Sequence, residues 1–214
     1  MAKNPDTTRP NKNTCYVACS GYGKSQALGG NTDLPKKGVR VLLWDVDNDH
    51  KATHYENKLQ FEKAIELGLK NRKPFRFAWS GRCDVETFEW WCGEVWKALD
   101  GRWDTYIVVE ELADVSVCSG KASPNWGQLN RRCRKYGGIL HWTTQRSQEI
   151  SKTAFDQAAI KYIGYPNEGA RTAHLCGLAG VSEPDLLGLK PLEFYRRHGQ
   201  ETKKIKFAYR KPPL

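Results

Sequence analysis

Residues 18–25 read Ala-Cys-Ser-Gly-Tyr-Gly-Lys-Ser and directly follow an apolar run that begins at Cys15. The stretch matches the phosphate-binding pattern G-x-x-x-x-G-K-[ST], with Ala18 in place of the first glycine. In such a loop, successive backbone N–H groups point inward and bind phosphate oxygens. The helix expected to begin near Lys24 adds the positive end of its dipole. The spacing therefore predicts a site for a nucleoside triphosphate such as ATP, bound with Mg²⁺.

Each type of residue in this loop has an expected role. The glycines at 21 and 23 permit backbone torsions that a side chain would block. Lys24 is expected to reach the terminal phosphates, and the Ser25 hydroxyl is expected to bind Mg²⁺. The alternative is a glycine-rich surface turn that carries an unrelated lysine. The predicted nucleotide-binding residues are Ala18, Cys19, Ser20, Gly21, Tyr22, Gly23, Lys24, Ser25 and Gln26.

A second motif, Tyr-Ile-Val-Val-Glu-Glu at 106–111, places two carboxylates at the end of an apolar run. We expect Glu110 to contact Mg²⁺ through water, although the usual acid at this position is Asp. We expect Glu111 to orient and deprotonate the attacking water, as a general base does in hydrolysis. The alternative is an ordinary strand that ends in solvated carboxylates.

A third strand-like segment, residues 138–146, reads Gly-Ile-Leu-His-Trp-Thr-Thr-Gln-Arg. Its apolar part ends before Gln145, whose amide is expected to sense the terminal phosphate and to position the attacking water. The alternative is a glutamine that is simply exposed at a strand end.

Composition indicates a soluble globular chain of one domain. Of the 214 residues, 39% are apolar and 27% are charged, which excludes a disordered chain. No apolar run is long enough to span a membrane, and the first ten residues lack the apolar core of a signal peptide. Seven cysteines without a C-x-x-C pair favour reduced thiols. We therefore expect a protein that is made and kept in the cytoplasm.

The net charge of +10 is concentrated in two segments. Residues 118–152 hold seven Lys or Arg against one Glu, and residues 190–214 hold eight against two. Each segment thus carries +6, so the remainder of the chain is slightly acidic. Clustered positive charge favours a nucleic-acid partner over a merely solvated basic face.

Apolar strand-like runs alternate with helical spacing along the chain, which predicts an α/β fold with a mostly parallel sheet and helices on both faces. Residues 1–13 are expected to form a flexible arm. Residues 14–214 are expected to form one P-loop domain, with a motif-bearing core at 14–165 and a basic extension at 166–214. The predicted strands are 14–18, 39–45, 75–79, 106–109, 138–144, 161–165 and 204–209. The predicted helices begin near residue 24 or span 61–70, 84–99, 128–135 and 147–159.

The order of these motifs resembles that of the FtsK–HerA superfamily of DNA-pumping ATPases. The resemblance rests on the loop at 18–25, a strand ending at Asp45, the Glu pair at 110–111, and Arg134 eleven residues before Gln145. It covers residues 14–165. The short chain without a membrane segment is similar to the small genome-packaging ATPases of tailless, membrane-containing icosahedral viruses.

The resemblance implies a ring-shaped motor, a hexamer or pentamer, that translocates double-stranded DNA by hydrolysing ATP. In the family, an arginine of one subunit reaches the phosphates bound by its neighbour. Arg134 is the first candidate for this arginine, and Arg171 and Arg146 are the others. The resemblance also implies a place in the host cytoplasm or at the packaging vertex of the virion, with capsid or membrane proteins as further partners.

The loop expected at 114–127 carries Lys121 and Trp126, and a basic loop of this kind suits contact with a DNA backbone. Arg131 and Arg132 follow in the same basic segment and are further candidates for DNA contact. A plain surface loop is the alternative.

Two other functions remain open at this stage. ATPases that assemble and export filamentous phages have similar motifs but usually carry a membrane span. A small-molecule or nucleotide kinase shares the loop and the size. Against a kinase stand the Glu pair, which suits water activation, and the lack of an Arg-rich lid.

Overall fold

A single nine-stranded sheet runs through the protein in the computed structural model, which describes residues 3–117, 119–166, 172–211 and 214. The strands are β1 Thr14–Val17, β2 Arg40–Trp44, β3 Thr53–Tyr55, β4 Phe75–Trp79, β5 Thr105–Val109, β6 Gly138–Thr144, β7 Ile160–Ile163, β8 Glu193–His198 and β9 Glu201–Lys206. The helices are α1 Lys24–Gly30, α2 Lys58–Asn71, α3 Val85–Ala98, α4 Pro124–Arg132, α5 Lys152–Gln157, α6 Thr172–Ala179 and α7 Glu183–Leu187.

The strands lie in the order β3-β4-β2-β5-β6-β1-β7-β8-β9, and β1 to β7 pair in parallel. Strands β8 and β9 join antiparallel at one edge. Every residue of β1, β2, β5 and β6 is buried, as expected for strands covered on both faces. The predicted α/β fold with a mostly parallel sheet is confirmed.

Strand β6 separates the strand that precedes the phosphate loop from the strand that ends in the Glu pair. Strand β6 pairs with β1 on one side and with β5 on the other. The carboxyl ends of all three parallel strands therefore meet at one edge of the sheet, which is where ligands bind in such folds. The fold thus brings the three sequence motifs to the same edge.

The two faces of the sheet are covered unequally. One face packs against α2 to α7 and contains the large aromatic cluster around Trp44, Trp91 and Trp142. The other face packs against α1, Leu34 and Phe207. Alternation along each strand sends successive side chains to opposite faces, so Leu42 belongs to the first core and Val41 to the second.

Several element boundaries differ from those the sequence predicts. Helix α4 begins at Pro124, four residues earlier than predicted, because proline is well tolerated in the first helical turn. Its Trp126 is only 4% exposed and packs against Phe88, so the prediction that this residue belongs to a DNA-contacting loop is wrong. The predicted helix at 147–159 is a 3₁₀ turn, Ser147–Glu149, followed by the short α5. Strands β3 and β8 were not predicted.

The arm ahead of β1 lies against the domain. The Lys3 ammonium donates to the backbone oxygens of Trp96 and Leu99, and the Asn4 N–H donates to the oxygen of Asp100. Further along the arm, the Arg9 guanidinium pairs with Asp104. These contacts fasten the described part of the arm, residues 3–13, along the edge of the sheet opposite the phosphate loop.

One titratable side chain is fully buried between β6 and its neighbours. His141 has no exposed surface, and its Nδ1 lies 3.0 Å from the Tyr16 hydroxyl. Burial lowers the pKa of His141 to about 3, because the charged imidazolium is disfavoured away from water. The imidazole is therefore neutral in the folded protein at ordinary pH.

Replacing His141 by Gln should flatten the acid side of the stability profile. The folded pKa lies below the unfolded value of about 6.5, so between the two the unfolded chain binds more protons and stability falls as the pH falls. From pH 6.5 to 4.5 this residue alone costs about 2 to 3 kcal/mol. Urea unfolding at pH 7.5 and 4.5 measures the difference, since carboxyl groups titrate in both proteins. Equal losses in wild type and His141→Gln would contradict the prediction.

Candidate nucleotide-binding site

The phosphate loop turns sharply between β1 and α1. Gly21 and Gly23 have positive φ angles of 77° and 91°, which L side chains rarely adopt. Gly23 is the residue before the first turn of α1, so the free N–H groups of that turn face the loop. Lys24 is buried at the start of the helix and directs its ammonium group toward the end of β5.

A cavity of about 870 Å³ opens above the loop. Its size falls within the usual range for small-molecule sites. The loop and α1 contribute Ser20, Gly21, Gly23, Lys24, Ser25 and Gln26. The carboxyl ends of β2, β5 and β6 contribute Asp45, Asp47, Asn48, Asp49, Glu110, Glu111 and Gln145, and a later segment contributes Pro191, Leu192, Tyr209, Arg210 and Lys211.

Glu111 joins the three motifs. One of its carboxylate oxygens lies 3.1 Å from Lys24 Nζ, and the other accepts a hydrogen bond of 3.2 Å from the Gln145 N–H. The Glu111 backbone is left-handed, with φ 44°, and its N–H donates to Thr143 Oγ1 at 3.0 Å. This uncommon conformation turns the chain directly after β5 and holds the carboxylate over the loop.

Glu110 is held by two side chains. His50 Nε2 lies 2.6 Å from Glu110 Oε1, and the Thr143 hydroxyl donates to Oε2 at 2.5 Å. Burial by itself would raise the pKa of the Glu110 carboxyl, but these hydrogen bonds and the charge of His50 hold it below its usual value. Glu110 is therefore a carboxylate at neutral pH.

The opposite effect acts on the histidine. Burial disfavours the charged imidazolium, yet the hydrogen bond and the negative charge of Glu110 raise the pKa of His50 above its usual value. The nearby Asp45 is fully buried and accepts backbone hydrogen bonds from Asp49 and His50. Burial raises the pKa of Asp45. Asp45 thus fixes the backbone of the loop that carries His50.

The oxygen atoms of Glu110 and Ser25 are suitable ligands for magnesium. Mg²⁺ prefers oxygen ligands and is usually held by one or two protein groups together with water and substrate phosphates. The hydroxyl of Ser25 and the carboxylate of Glu110 are such oxygens, and both residues line the cavity. Across the part of the chain that the structure describes, no cluster of three His, Cys, Asp or Glu side chains could hold a metal by itself.

The predicted arginines lie in different places. Arg134 lies in the 3₁₀ turn Cys133–Tyr136 before β6, at the edge opposite the cavity, and donates to the backbone oxygens of Thr7 and Arg9. Arg146 directly follows Gln145 and pairs with Asp114 and Glu149. Arg171 lies outside the described residues.

The predicted DNA-contacting residues do not line the cavity. Lys121 is exposed before α4, and Arg131 and Arg132 are exposed in the last turn of that helix. All three residues therefore lie on the surface outside the cavity. Among the described helices, none is both long enough and apolar enough to cross a membrane.

Sequence reasoning missed two parts of the site. None of the sequence motifs includes His50, because its partner Glu110 is sixty residues away in the chain. The apolar residues Leu192 and Tyr209 also line the cavity, although they belong to a segment without a recognisable motif. The order of the strands, which places β2 beside β5 and β8 beside β7, would have been needed to find either part.

Comparison with known proteins identifies a relative by sequence. The chain is 39% identical over 165 residues to protein P9 of Pseudoalteromonas phage PM2, covering 77% of this chain and 73% of the phage protein. No family model matches the chain.

Solved structures show the same fold at low sequence identity. The genome packaging NTPase B204 from Sulfolobus turreted icosahedral virus 2, in complex with AMPPCP, matches with a TM-score of 0.73 and 15% identity, covering 94% of this chain and all of that one. VirB4 of Thermoanaerobacter pseudethanolicus matches with a TM-score of 0.64 and 14% identity, covering 94% and 90%. The chain therefore belongs to the same family as protein P9 of phage PM2, and it shares the fold of the packaging NTPase B204 and of VirB4.

Proposed function

We propose that this protein is a magnesium-dependent ATPase that drives double-stranded DNA into a viral capsid, acting at the packaging vertex. The observation that carries the proposal is the meeting of Lys24, Glu111 and Gln145 in one cavity above a phosphate loop. A carboxylate beside the expected position of the terminal phosphate suits water activation better than transfer to a second substrate. The fold shared with the packaging NTPase B204 supports the same role.

In the absence of nucleotide, Lys24 forms an ion pair with Glu111. The lysine of a phosphate loop contacts the terminal phosphates of the nucleotide. A bound triphosphate would therefore compete with Glu111 for the Lys24 ammonium, which lies 3.1 Å from the carboxylate. Glu111 is then free to accept a proton from water, while the backbone N–H of Gln145 keeps the second carboxylate oxygen of Glu111 oriented.

Glu110 and Ser25 would hold the magnesium ion, which neutralises phosphate charge when it is bound. His50 and Thr143 keep the Glu110 carboxylate in place through bonds of 2.6 and 2.5 Å. Because Thr143 also accepts the N–H of Glu111, a single hydroxyl sets the spacing between the acid that holds the metal and the acid that acts as base.

Glu111→Gln should bind ATP but lose hydrolysis. An amide cannot accept the proton of water, so turnover should fall by roughly 10²- to 10⁴-fold. Phosphate release from ATP, measured with and without double-stranded DNA, and ATP binding measured by titration calorimetry check the two halves of this expectation. DNA should accelerate phosphate release by the wild-type protein.

Glu66→Gln, an exposed Glu on α2 far from the motifs, is the matched control and should behave as wild type. Normal hydrolysis by Glu111→Gln would exclude Glu111 as the base. If the wild-type protein releases phosphate only when an acceptor substrate is added, it is a kinase and the motor proposal is contradicted.

We further propose that the active protein is a ring in which Arg134 reaches the phosphates bound by the next subunit. Head-to-tail contacts between identical subunits form a ring when the rotation from one subunit to the next adds up to a full turn. Arg134 is suited to act in trans because it lies at the edge of the sheet opposite its own cavity. Arg146 adjoins its own Gln145, and its guanidinium is engaged by two carboxylates.

Mixing two inactive variants tests action between subunits. Arg134→Ala and Lys24→Ala should each abolish ATP hydrolysis, and an equal mixture of the two should recover about a quarter of the active sites. Phosphate release by the mixture, relative to each variant alone, is the measurement. Arg9→Ala is the control, because Arg9 lies beside Arg134 and its guanidinium is paired with Asp104 of its own chain. A mixture that stays inactive would exclude Arg134 as the trans arginine.

Arg131 and Arg132 are proposed to contact the phosphates of DNA, since both are exposed cations on the last turn of α4. Replacing both by Ala should weaken DNA binding for all sequences alike. The slope of log Kd against log salt should fall by about two, one for each lost phosphate contact. Fluorescence anisotropy with a DNA duplex at several salt concentrations gives the slope. Lys36→Ala/Lys37→Ala, an adjacent exposed pair before β2, should leave it unchanged, and equal slopes for the two double variants would refute the assignment.

A further inference from the structure

The apolar lining of the nucleotide cavity comes from the two stretches of chain that flank the β8–β9 hairpin. Among the described residues that line it, those of the phosphate loop, α1 and the ends of β2, β5 and β6 are glycine, polar or charged. Pro191, Leu192 and Tyr209 supply the apolar and aromatic surface, and all three flank the β8–β9 hairpin. The cavity therefore has a carboxylate wall and an apolar wall, with the phosphate loop also lining it.

The topology explains why the hairpin reaches this place. Strand β8 runs antiparallel to β7, so its first residue lies at the edge where the parallel strands end. Strand β9 runs back and ends at the same edge, with Lys206 opposite Glu193. The residues just before β8 and just after β9 are thus delivered together to the phosphate loop, on the far side of β1 from the Glu pair.

Hydrogen bonds fasten this segment to the loop and to α1. The Gln26 side chain donates to the Arg210 oxygen and accepts from the Arg210 N–H, both at 2.7 Å. The Leu192 N–H donates to the Tyr22 oxygen at 3.0 Å, and the Phe207 N–H donates to the Leu192 oxygen at 2.9 Å. Both ends of the apolar wall are therefore fixed in position relative to the phosphate loop.

Leu192 is held against the loop in an unfavourable conformation. Its φ is 69°, which is uncommon for a residue other than glycine. Its Cδ2 lies close to Gly23: a Cβ atom built on Gly23 would be only 2.5 Å from the Cδ2 of Leu192. Backbone strain of this kind persists where the surroundings enforce it and concentrates at ligand sites.

Tyr209 presents its ring to solvent at the mouth of the same cavity. The residue is 71% exposed, although it adjoins Arg210, whose backbone is pinned by Gln26. An aromatic ring that is uncovered, on a chain whose adjacent backbone is anchored, is suited to stacking against a flat π system. A nucleobase is the part of a nucleoside triphosphate that offers such a surface.

We propose that Leu192 and Tyr209 form the subsite for the base of the bound triphosphate. The subsite rests on the proposed function, because it takes the base of the nucleotide whose phosphates the loop binds. The base cannot gain comparable contacts on the opposite wall, where Asp45, Glu110 and Glu111 leave no apolar surface. Gln26 and the backbone of Arg210 act as positioning groups that hold Tyr209 at the correct distance from the loop.

The experiment compares two probes that share phosphates but not a base. Titration calorimetry with Mg²⁺ measures the affinity of ATP and of inorganic tripolyphosphate for the wild-type protein and for Tyr209→Ala. The substitution should weaken ATP binding at least about fivefold, from the loss of one stacking partner. It should leave tripolyphosphate binding unchanged. Tyr209→Phe keeps the ring and should bind ATP as wild type does, and Leu59→Ala, an equally exposed apolar residue on α2, is the matched control.

Failure of this inference differs from failure of the proposed function. A wild-type protein that binds neither probe, or a Lys24→Ala variant that binds both normally, would overturn the assignment of the phosphate loop itself. If Tyr209→Ala weakens neither probe, or weakens both equally, the base subsite is excluded while ATP binding stands. If the substitution instead weakens self-association in sedimentation and leaves ATP affinity intact, Tyr209 is a contact between subunits and the inference is overturned.

Discussion

The site depends on the hydroxyl group of one threonine between two acids. Thr143 lies in β6, between the strand that precedes the phosphate loop and the strand that ends in the Glu pair. Its Oγ1 donates to Glu110 and accepts from the N–H of Glu111, so it fixes a side chain and a turn at once. Because β6 is buried along its whole length, the backbone that carries this hydroxyl is packed into the centre of the sheet. The rigidity of the core is thereby passed to the groups that meet the ligand.

Charge distribution around the cavity follows from the same arrangement. Carboxylates crowd at the ends of β2 and β5, and the two glutamates that follow β5 have different partners. Glu110 shares a buried hydrogen bond with His50, while Glu111 pairs with Lys24. Removing either cation would leave a partly buried carboxylate without compensation, which is costly away from water. The pairing with Lys24 is the one that a phosphate can replace, because the same ammonium faces the loop.

The parts of the structure that depend on short sequence patterns could be predicted from the sequence. The phosphate loop and the apolar runs of β2 and β5 could be predicted because each depends on neighbouring residues. The parallel α/β fold could be predicted because strands alternate with helices along the chain. His50 could not be placed, because its role depends on β2 lying beside β5, and strand order is fixed by long-range packing. Strand β8 was missed since it is rich in charge and partly exposed. The start of α4 was missed because Pro124 falls within the loop predicted at 114–127, although proline suits the first helical turn.

The antiparallel hairpin gives the fold something that a purely parallel sheet does not provide. A strand parallel to β7 would begin at the far edge, and only its end would reach the ligand. Strands β8 and β9 together start and finish at the ligand edge, so two segments of chain, rather than one, meet the phosphate loop. One of them places Leu192 against Gly23, and the other is pinned by Gln26. A single hairpin thus builds a complete wall of the cavity without any motif that could be read along the chain.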